Sequence, residues 1–263
     1  MFNKHPKGLI AAALANLGER FGFYTMMAIL VLFLQAKFGM NGKEAGFIYS
    51  TFYFSIYILA LVGGIIADKT RNYKGTIFTG IVLMAVGYLL LAIPSKTPVD
   101  NKMLYLVITC ASLFVIAFGN GLFKGNLQAL VGQMYDNPQY ANMRDSGFSL
   151  FYMFINIGAI FAPFAAVGVR NWWLSTFGYN YDADLPALCH GQLAGTLSPE
   201  ATETYHTLVT KASTAPVQDY TAFASDYLNV FTTGFHYAFG VAIIAMATVS
   251  YTHLRAHETR SNL

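Results

Sequence analysis

The sequence predicts an all-α membrane protein with six transmembrane helices, and three observations carry that prediction. Of 263 residues, 55% are hydrophobic and only 11% are charged. A soluble domain carries about twice that charged fraction, so a water-exposed surface could not be covered. A soluble enzyme, a nucleic-acid binder and a disordered chain are thereby disfavoured, and the net charge of +3 is too scattered to argue for a polyanionic partner. The apolar residues fall into six long runs, each near or above the roughly 20 residues needed to cross a bilayer. Backbone groups in lipid must be satisfied within the segment, so these runs read as helices.

The runs extend over about 8–34, 46–67, 75–93, 103–134, 147–168 and 230–250. Residues 1–169 thus hold helices one to five, 170–229 form a long polar loop, and 230–249 form helix six. Lys4 and Lys7 precede Leu9 to Leu14, and Ala13-Leu14-Ala15 resembles a signal-peptidase site. The hydrophobic pattern continues past it, so an uncleaved first helix is expected. Trp172 and Trp173 open the long loop and suit an interfacial anchor, with a folded cap or amphipathic helices left open. Cys110 and Cys189 lie in unlike surroundings, and no bridge between them is expected. Residues 250–263 break the pattern abruptly and read as a non-native tail at a truncation point, with an ordinary linker as the alternative. His253 and His257 sit there at metal-ligand spacing without a third ligand, so no metal site is expected.

An even number of crossings puts both ends of the chain on one side. Six basic residues (Lys4, Lys7, Lys69, Arg71, Lys74 and Arg144) share that side, and six (Lys37, Lys43, Lys96, Lys102, Arg170 and Lys211) share the other. The positive-inside rule is therefore balanced, and cytoplasmic termini rest on the acidic bias of the long loop.

Three ionisable residues lie inside apolar runs: Glu19, Arg20 and Lys124. Burying such groups in a membrane costs several kcal/mol, so they point to function and to a partner. Glu19 is eleven residues from Gly8, and Lys124 eleven from Tyr135. At 1.5 Å per residue each is about 16 Å deep, near the midplane, where opposite charges can pair. Tyr57 and Asn156 fall in the same layer. Asn16, Glu19, Arg20, Phe23, Tyr24 and Met27 follow one helical face, expected to border a water-filled cavity with Leu and Ile positions toward lipid. The same charges also fit a salt bridge that only holds helices together. Gly119, Gly121 and Gly125 read as helix-packing positions.

These residues sit in recognisable motifs. NLGERFGFYTM at 16–26 resembles the ExxERFxYY signature of the proton-dependent oligopeptide transporters. GGIIADKTRNYKG at 63–75 resembles the loop between helices two and three of the major facilitator superfamily. FKGNLQALVGQMY at 123–135 and FSLFYMFINIGAIFAP at 148–163 resemble the transporter family's fourth- and fifth-helix signatures. The resemblance implies the N-terminal six-helix half of a major facilitator superfamily transporter. Such a transporter imports di- and tripeptides with protons, lies in the bacterial cytoplasmic (inner) membrane, and works with a C-terminal six-helix half that is missing here. It also implies proton-coupling roles for Glu19, Arg20 and Lys124, and substrate-binding roles for Arg20, Tyr24, Tyr57, Lys124 and Asn156. Gly64, Asp68 and Arg71 would control the cytoplasmic gate. No cofactor is implied beyond the proton gradient, and no nucleic acid. Asn16, Phe23 and Met27 depart from the signature, where a glutamate, a tyrosine and an arginine are expected. A transporter of another small solute in the same superfamily, or a non-transporting membrane scaffold, are the rival readings. An enzyme is disfavoured, since HExxH, GxSxG and paired intramembrane aspartates do not occur.

Overall fold

The computed structural model describes residues 4–261, with side chains described through residue 247. Eight α-helices follow in order: α1 Gly8–Phe38, α2 Gly42–Thr70, α3 Tyr73–Ala92, α4 Lys102–Met134, α5 Arg144–Thr176, α6 Leu185–Ala194, α7 Pro199–Ala212 and α8 Tyr220–Ser261. Among the described residues, six helices (α1 to α5 and α8) are long and apolar enough to cross a membrane. The six apolar runs of the sequence are these six helices.

The helices outrun the hydrophobic runs because polar residues cap them. Asn41 accepts from the amides of Lys43 and Glu44, and Glu44 returns a bond to the Asn41 amide. This capping box starts α2 four residues before its apolar run. Asn72 caps α3 through the Gly75 amide, and Asn101 caps α4 through the Leu104 amide. Gly39 ends α1 in the left-handed conformation that glycine adopts without steric cost.

Helix α1 is the centre of the bundle and packs against α4, α5, α8 and α2, while α3 packs on α4 and α8. Its Leu9, Ile29, Leu30 and Leu34 are buried within the protein, and only Ile10 and Leu14 among its leucines and isoleucines are exposed. The expectation that leucine and isoleucine positions of α1 face lipid is therefore corrected. The neighbouring helices enclose α1, and its apolar side chains become bundle core instead. Large exposed apolar side chains lie on α2, α3, α4 and α5, among them Phe54, Leu61, Val86, Phe114, Phe161 and Phe164.

Two of the three glycines around Lys124 are packing positions, as expected. A Cβ on Gly119 would lie 2.6 Å from the Gly80 carbonyl oxygen, and one on Gly121 would lie 2.5 Å from that of Leu59. Gly125 instead faces open space.

The 170–229 segment is mostly helical. Helix α5 continues to Thr176, α8 begins at Tyr220, and α6 and α7 form a cap between them. Aromatic contacts hold this cap to the bundle. The Arg170 guanidinium stacks 3.6 Å from the Tyr181 ring centroid, and Tyr227 lies 5.5 Å from Tyr179. The Tyr179 hydroxyl donates to Asp226 at 2.6 Å. Trp172 is exposed, as an interfacial anchor would be, whereas Trp173 packs edge-on against Tyr237 of α8 at 4.7 Å. Helix α8 runs without a break into the expected tail at 250–263. The side chains of that tail, His253 and His257 included, lie outside the described residues.

Candidate functional site

The middle of α1 holds two adjacent charges, and both are buried. Helix α5 closes over them because Gly158 lets it approach the α1 backbone; a Cβ there would meet the Leu17 carbonyl oxygen at 2.8 Å. Within this enclosure the Arg20 guanidinium forks onto the Glu19 carboxylate. Its Nη2 donates to Oε1 at 2.6 Å and its Nε to Oε2. Asn120 of α4 donates its side-chain N–H to the same Glu19 Oε1 at 2.6 Å. The carboxylate thus accepts three N–H bonds, two from its own helix and one from a neighbour, the set that suits an ionised carboxylate.

The sequence places Glu19 and Lys124 at one depth, but the structure does not pair them. Among the described residues, the ion pairs are Arg20–Glu19 and Arg144–Asp136. Lys124 instead holds its ammonium 5.6 Å from the Tyr57 ring centroid, in the seam between α4 and α2. The expected Glu19–Lys124 pairing is therefore corrected. Residue spacing fixes height along a helix but not rotation about it, and Lys124 turns toward α2 while Asn120, one turn earlier, turns toward α1. Arg20, adjacent in the chain, takes the place that Lys124 was expected to fill.

A second correction concerns the polar face of α1. Asn16, Glu19, Arg20 and Phe23 are buried in the bundle, and only Tyr24 and Met27 of that stripe are partly exposed. The stripe borders protein along most of its length, not an open cavity. The Arg20 guanidinium extends it by lying over Phe23 at 4.7 Å and near Tyr24 at 6.0 Å.

The remaining residues are distributed as follows. Tyr57 is 52% exposed and donates to Tyr53 at 3.1 Å, in a ladder of rings with Tyr49 on α2. Asn156 is exposed on α5. Tyr57, Lys124 and Asn156 thus belong to open or half-open faces, apart from the enclosed Glu19–Arg20 pair. At the α2–α3 junction, Asp68 accepts from the Tyr73 hydroxyl and Arg71 caps α2 in the left-handed region at φ 53°. Gly64 is half-buried with open space beside it, and the close contact belongs to its neighbour Gly63, against Gly121.

Two residues of the buried layer were missed from sequence. Asn120 is the bridge between α4 and Glu19. Tyr88 of α3 is fully buried within electrostatic reach of Glu19 and Arg20. Asn120 is four residues before Lys124, so the helical spacing that marked Lys124 would have marked it too.

Comparison with known proteins gives this layer its context. The POT family pattern matches residues 74–253. The chain is 34% identical over 185 residues to the peptide transporter YePEPT of Yersinia enterocolitica, covering 68% of this chain and 34% of that protein. It is 34% identical over 179 residues to dipeptide and tripeptide permease A of an Enterobacter species, covering 67% of this chain and 32% of the permease. The chain therefore spans about a third of the length of these curated relatives. Among solved structures, a sulfate complex of the peptide transporter POT superposes with a TM-score of 0.66 at 25% identity, covering 98% of this chain and 39% of that one. A bacterial homologue of the human drug peptide transporters superposes at 0.58 with 26% identity, covering 95% of this chain and 52% of that one. The six spans correspond to the N-terminal half of these transporters, with the major facilitator fold. The chain belongs to the POT family.

Proposed function

We propose that these six helices form the proton-coupling half of a symporter that imports di- and tripeptides across the bacterial cytoplasmic membrane, with both termini cytoplasmic. The observation that carries this reading is the Glu19 carboxylate, buried, forked by Arg20 and tied to α4 through Asn120. Protonation of Glu19 removes the charge that holds Arg20. The freed guanidinium then favours one side of the membrane over the other. That is coupling, provided proton and peptide bind the two states unequally.

Lys124, beside Tyr57 on a half-open seam, is placed to meet a peptide carboxylate as a point charge. Tyr24, Tyr57 and Asn156 supply hydrogen bonds to the peptide backbone, and Asp68 and Arg71 restrain the cytoplasmic loop. No cofactor enters this mechanism, and the proton gradient supplies the driving force. The opposing surface comes from a second six-helix body, since one half cannot alternate access by itself.

The test is uptake of labelled dialanine by the transporter that carries these residues, in vesicles with an imposed proton gradient. Glu19→Gln abolishes gradient-driven accumulation and leaves peptide exchange. Accumulation by this variant at the unmodified level overturns the assignment of the proton site. The scaffold reading draws on one observation of its own, that the Glu19–Arg20 pair is closed within α1. It expects dialanine to leave the melting temperature of the purified protein unchanged, whereas a peptide-binding half is stabilised by its ligand.

A further inference from the structure

The side-chain amide of Asn120 is engaged on one side only. Its Nδ2 donates to Glu19 Oε1 at 2.6 Å and approaches the Met84 sulfur at 3.9 Å. Its Oδ1 is buried and has no hydrogen-bond partner among the described residues. A buried acceptor left unpaired costs about 1–3 kcal/mol, so its presence next to the membrane-embedded carboxylate calls for a reason. A carboxylate needs donors, and a carboxylic acid needs an acceptor for its own proton. An amide offers a donor and an acceptor on the two ends of one short lever, and half a turn about the Cβ–Cγ axis exchanges them.

We infer that Asn120 is a positioning residue that serves both protonation states of Glu19, donating through Nδ2 to the carboxylate and accepting through Oδ1 from the carboxylic acid. This rests on Glu19 being the proton site. When Glu19 is charged, Arg20 and Asn120 both hold it. When Glu19 takes a proton, the Arg20 fork loses its counter-charge, and the amide turns so that the new O–H points to Oδ1. The α1–α4 bridge thereby survives a change that releases Arg20. Protonation is converted into freedom of one side chain, not into separation of two helices.

The groups facing Glu19 are consistent with this assignment. Arg20 can only donate. Helix α3 offers Tyr88, whose buried hydroxyl has no partner among the described residues. Helix α4 offers Lys124 one turn from Asn120, turned toward Tyr57 of α2. Helix α5 meets this stretch of α1 with Gly158, and α8 meets it with Ala242 against Gly22, so neither brings a charge there. Tyr24, one turn further along α1, is the remaining titratable neighbour of Arg20. Of these, Asn120 is the group already bonded to the carboxylate with a free acceptor on the same side chain.

The test is infrared difference spectroscopy of the purified chain in lipid nanodiscs, comparing acid with alkaline pH. Glu19→Gln identifies the Glu19 band as the protonated-carboxyl stretch that it removes. In Asn120→Leu, which has similar volume and no polar atom, that stretch moves to higher frequency because the acid has lost its acceptor. In the unsubstituted protein, a side-chain amide band that shifts on asparagine ¹⁵N labelling changes in step with the Glu19 band; this arm needs no variant to fold. A Glu19 band unmoved in Asn120→Leu, or an amide band that ignores pH, overturns the inference and leaves Glu19 as the proton site. If Glu19→Gln removes no band at all, the inference and the proton-site assignment fall together.

Discussion

Two buried polar regions lie on the same helix, and they are built in opposite ways. Near the C-terminal end of α1, Lys37 is 2% exposed, and among the described residues it forms no ion pair with a carboxylate. Its ammonium donates to the Ser95 carbonyl and, at 2.9 Å, to the Thr97 hydroxyl. Thr97 in turn meets Thr232 at 2.7 Å, and its amide donates to Asn229 at 3.1 Å. In the middle of α1, the Glu19 layer has a full ion pair, yet the Asn16 amide nitrogen, the Tyr88 hydroxyl and the Asn120 amide oxygen are buried without partners. Around Lys37 one buried polar atom, His236 Nε2, lacks a partner among the described residues, whereas the Glu19 layer leaves three. A satisfied network rigidifies its surroundings, and an unsatisfied one retains alternatives. The Lys37 hub ties α1, the α3–α4 loop and α8 together, and the Glu19 layer holds most of the unpartnered buried polar atoms among the described residues.

The largest effect tests this contrast directly. Glu19→Leu leaves Arg20 buried without a counter-charge and costs about 3–5 kcal/mol, visible as the greatest fall in melting temperature of the purified protein. Lys37→Met removes a cation whose partners are neutral dipoles, and the Thr97–Thr232 bond remains. It costs about 1–3 kcal/mol, from acceptors left unpaired. A Lys37→Met protein less stable than Glu19→Leu would break the comparison.

Gly121→Ala, next to Asn120, sharpens it by pushing α4 from α2. Its Cβ meets the Leu59 carbonyl oxygen, and overpacking costs about 1–3 kcal/mol. Gly125→Ala, which meets nothing, is the matched control and leaves the melting temperature in place.

The cap beside the hub supplies a pH dependence. His190 of α6 donates through Nε2 to the Ala36 carbonyl at 2.7 Å. Burial pushes its imidazole below the ordinary histidine value and Lys102 adds to this, while the Ala36 bond opposes them. The unfolded chain then takes up a proton first. Stability is unaffected well above the ordinary value of about 6.5 and falls as the pH drops through it. Melting curves at stepped pH show this loss, and His190→Gln flattens it. The smallest effect belongs to Lys124→Met, which removes a half-open cation–π contact worth about 0.5–1 kcal/mol while sharply reducing peptide uptake.

How much of this was legible in the sequence follows from which quantities a sequence contains. Run length and hydropathy report membrane crossings directly, so the six spans, and the polar layer with Glu19 and Arg20 at its centre, could be read without coordinates. The motifs around Glu19, Lys124 and Asn156 carried the family. The α2 start was displaced because capping by Asn41 and Glu44 acts outside the apolar run. The cap at 177–219 gives no hydropathy signal, because α7 is polar and α6 is only ten residues long.

Depth in the membrane is a property of one chain segment: residues counted from a helix end give it, and the sequence alone placed Glu19, Tyr57, Lys124 and Asn156 in one layer. Which of those groups touch depends on how each helix is rotated and what stands between them. Only the folded bundle turned Lys124 toward Tyr57, enclosed α1 on several sides, and set Asn120 against Glu19. Helix rise is fixed by the backbone hydrogen bonds within a segment, whereas helix azimuth is chosen by the packing of all its neighbours.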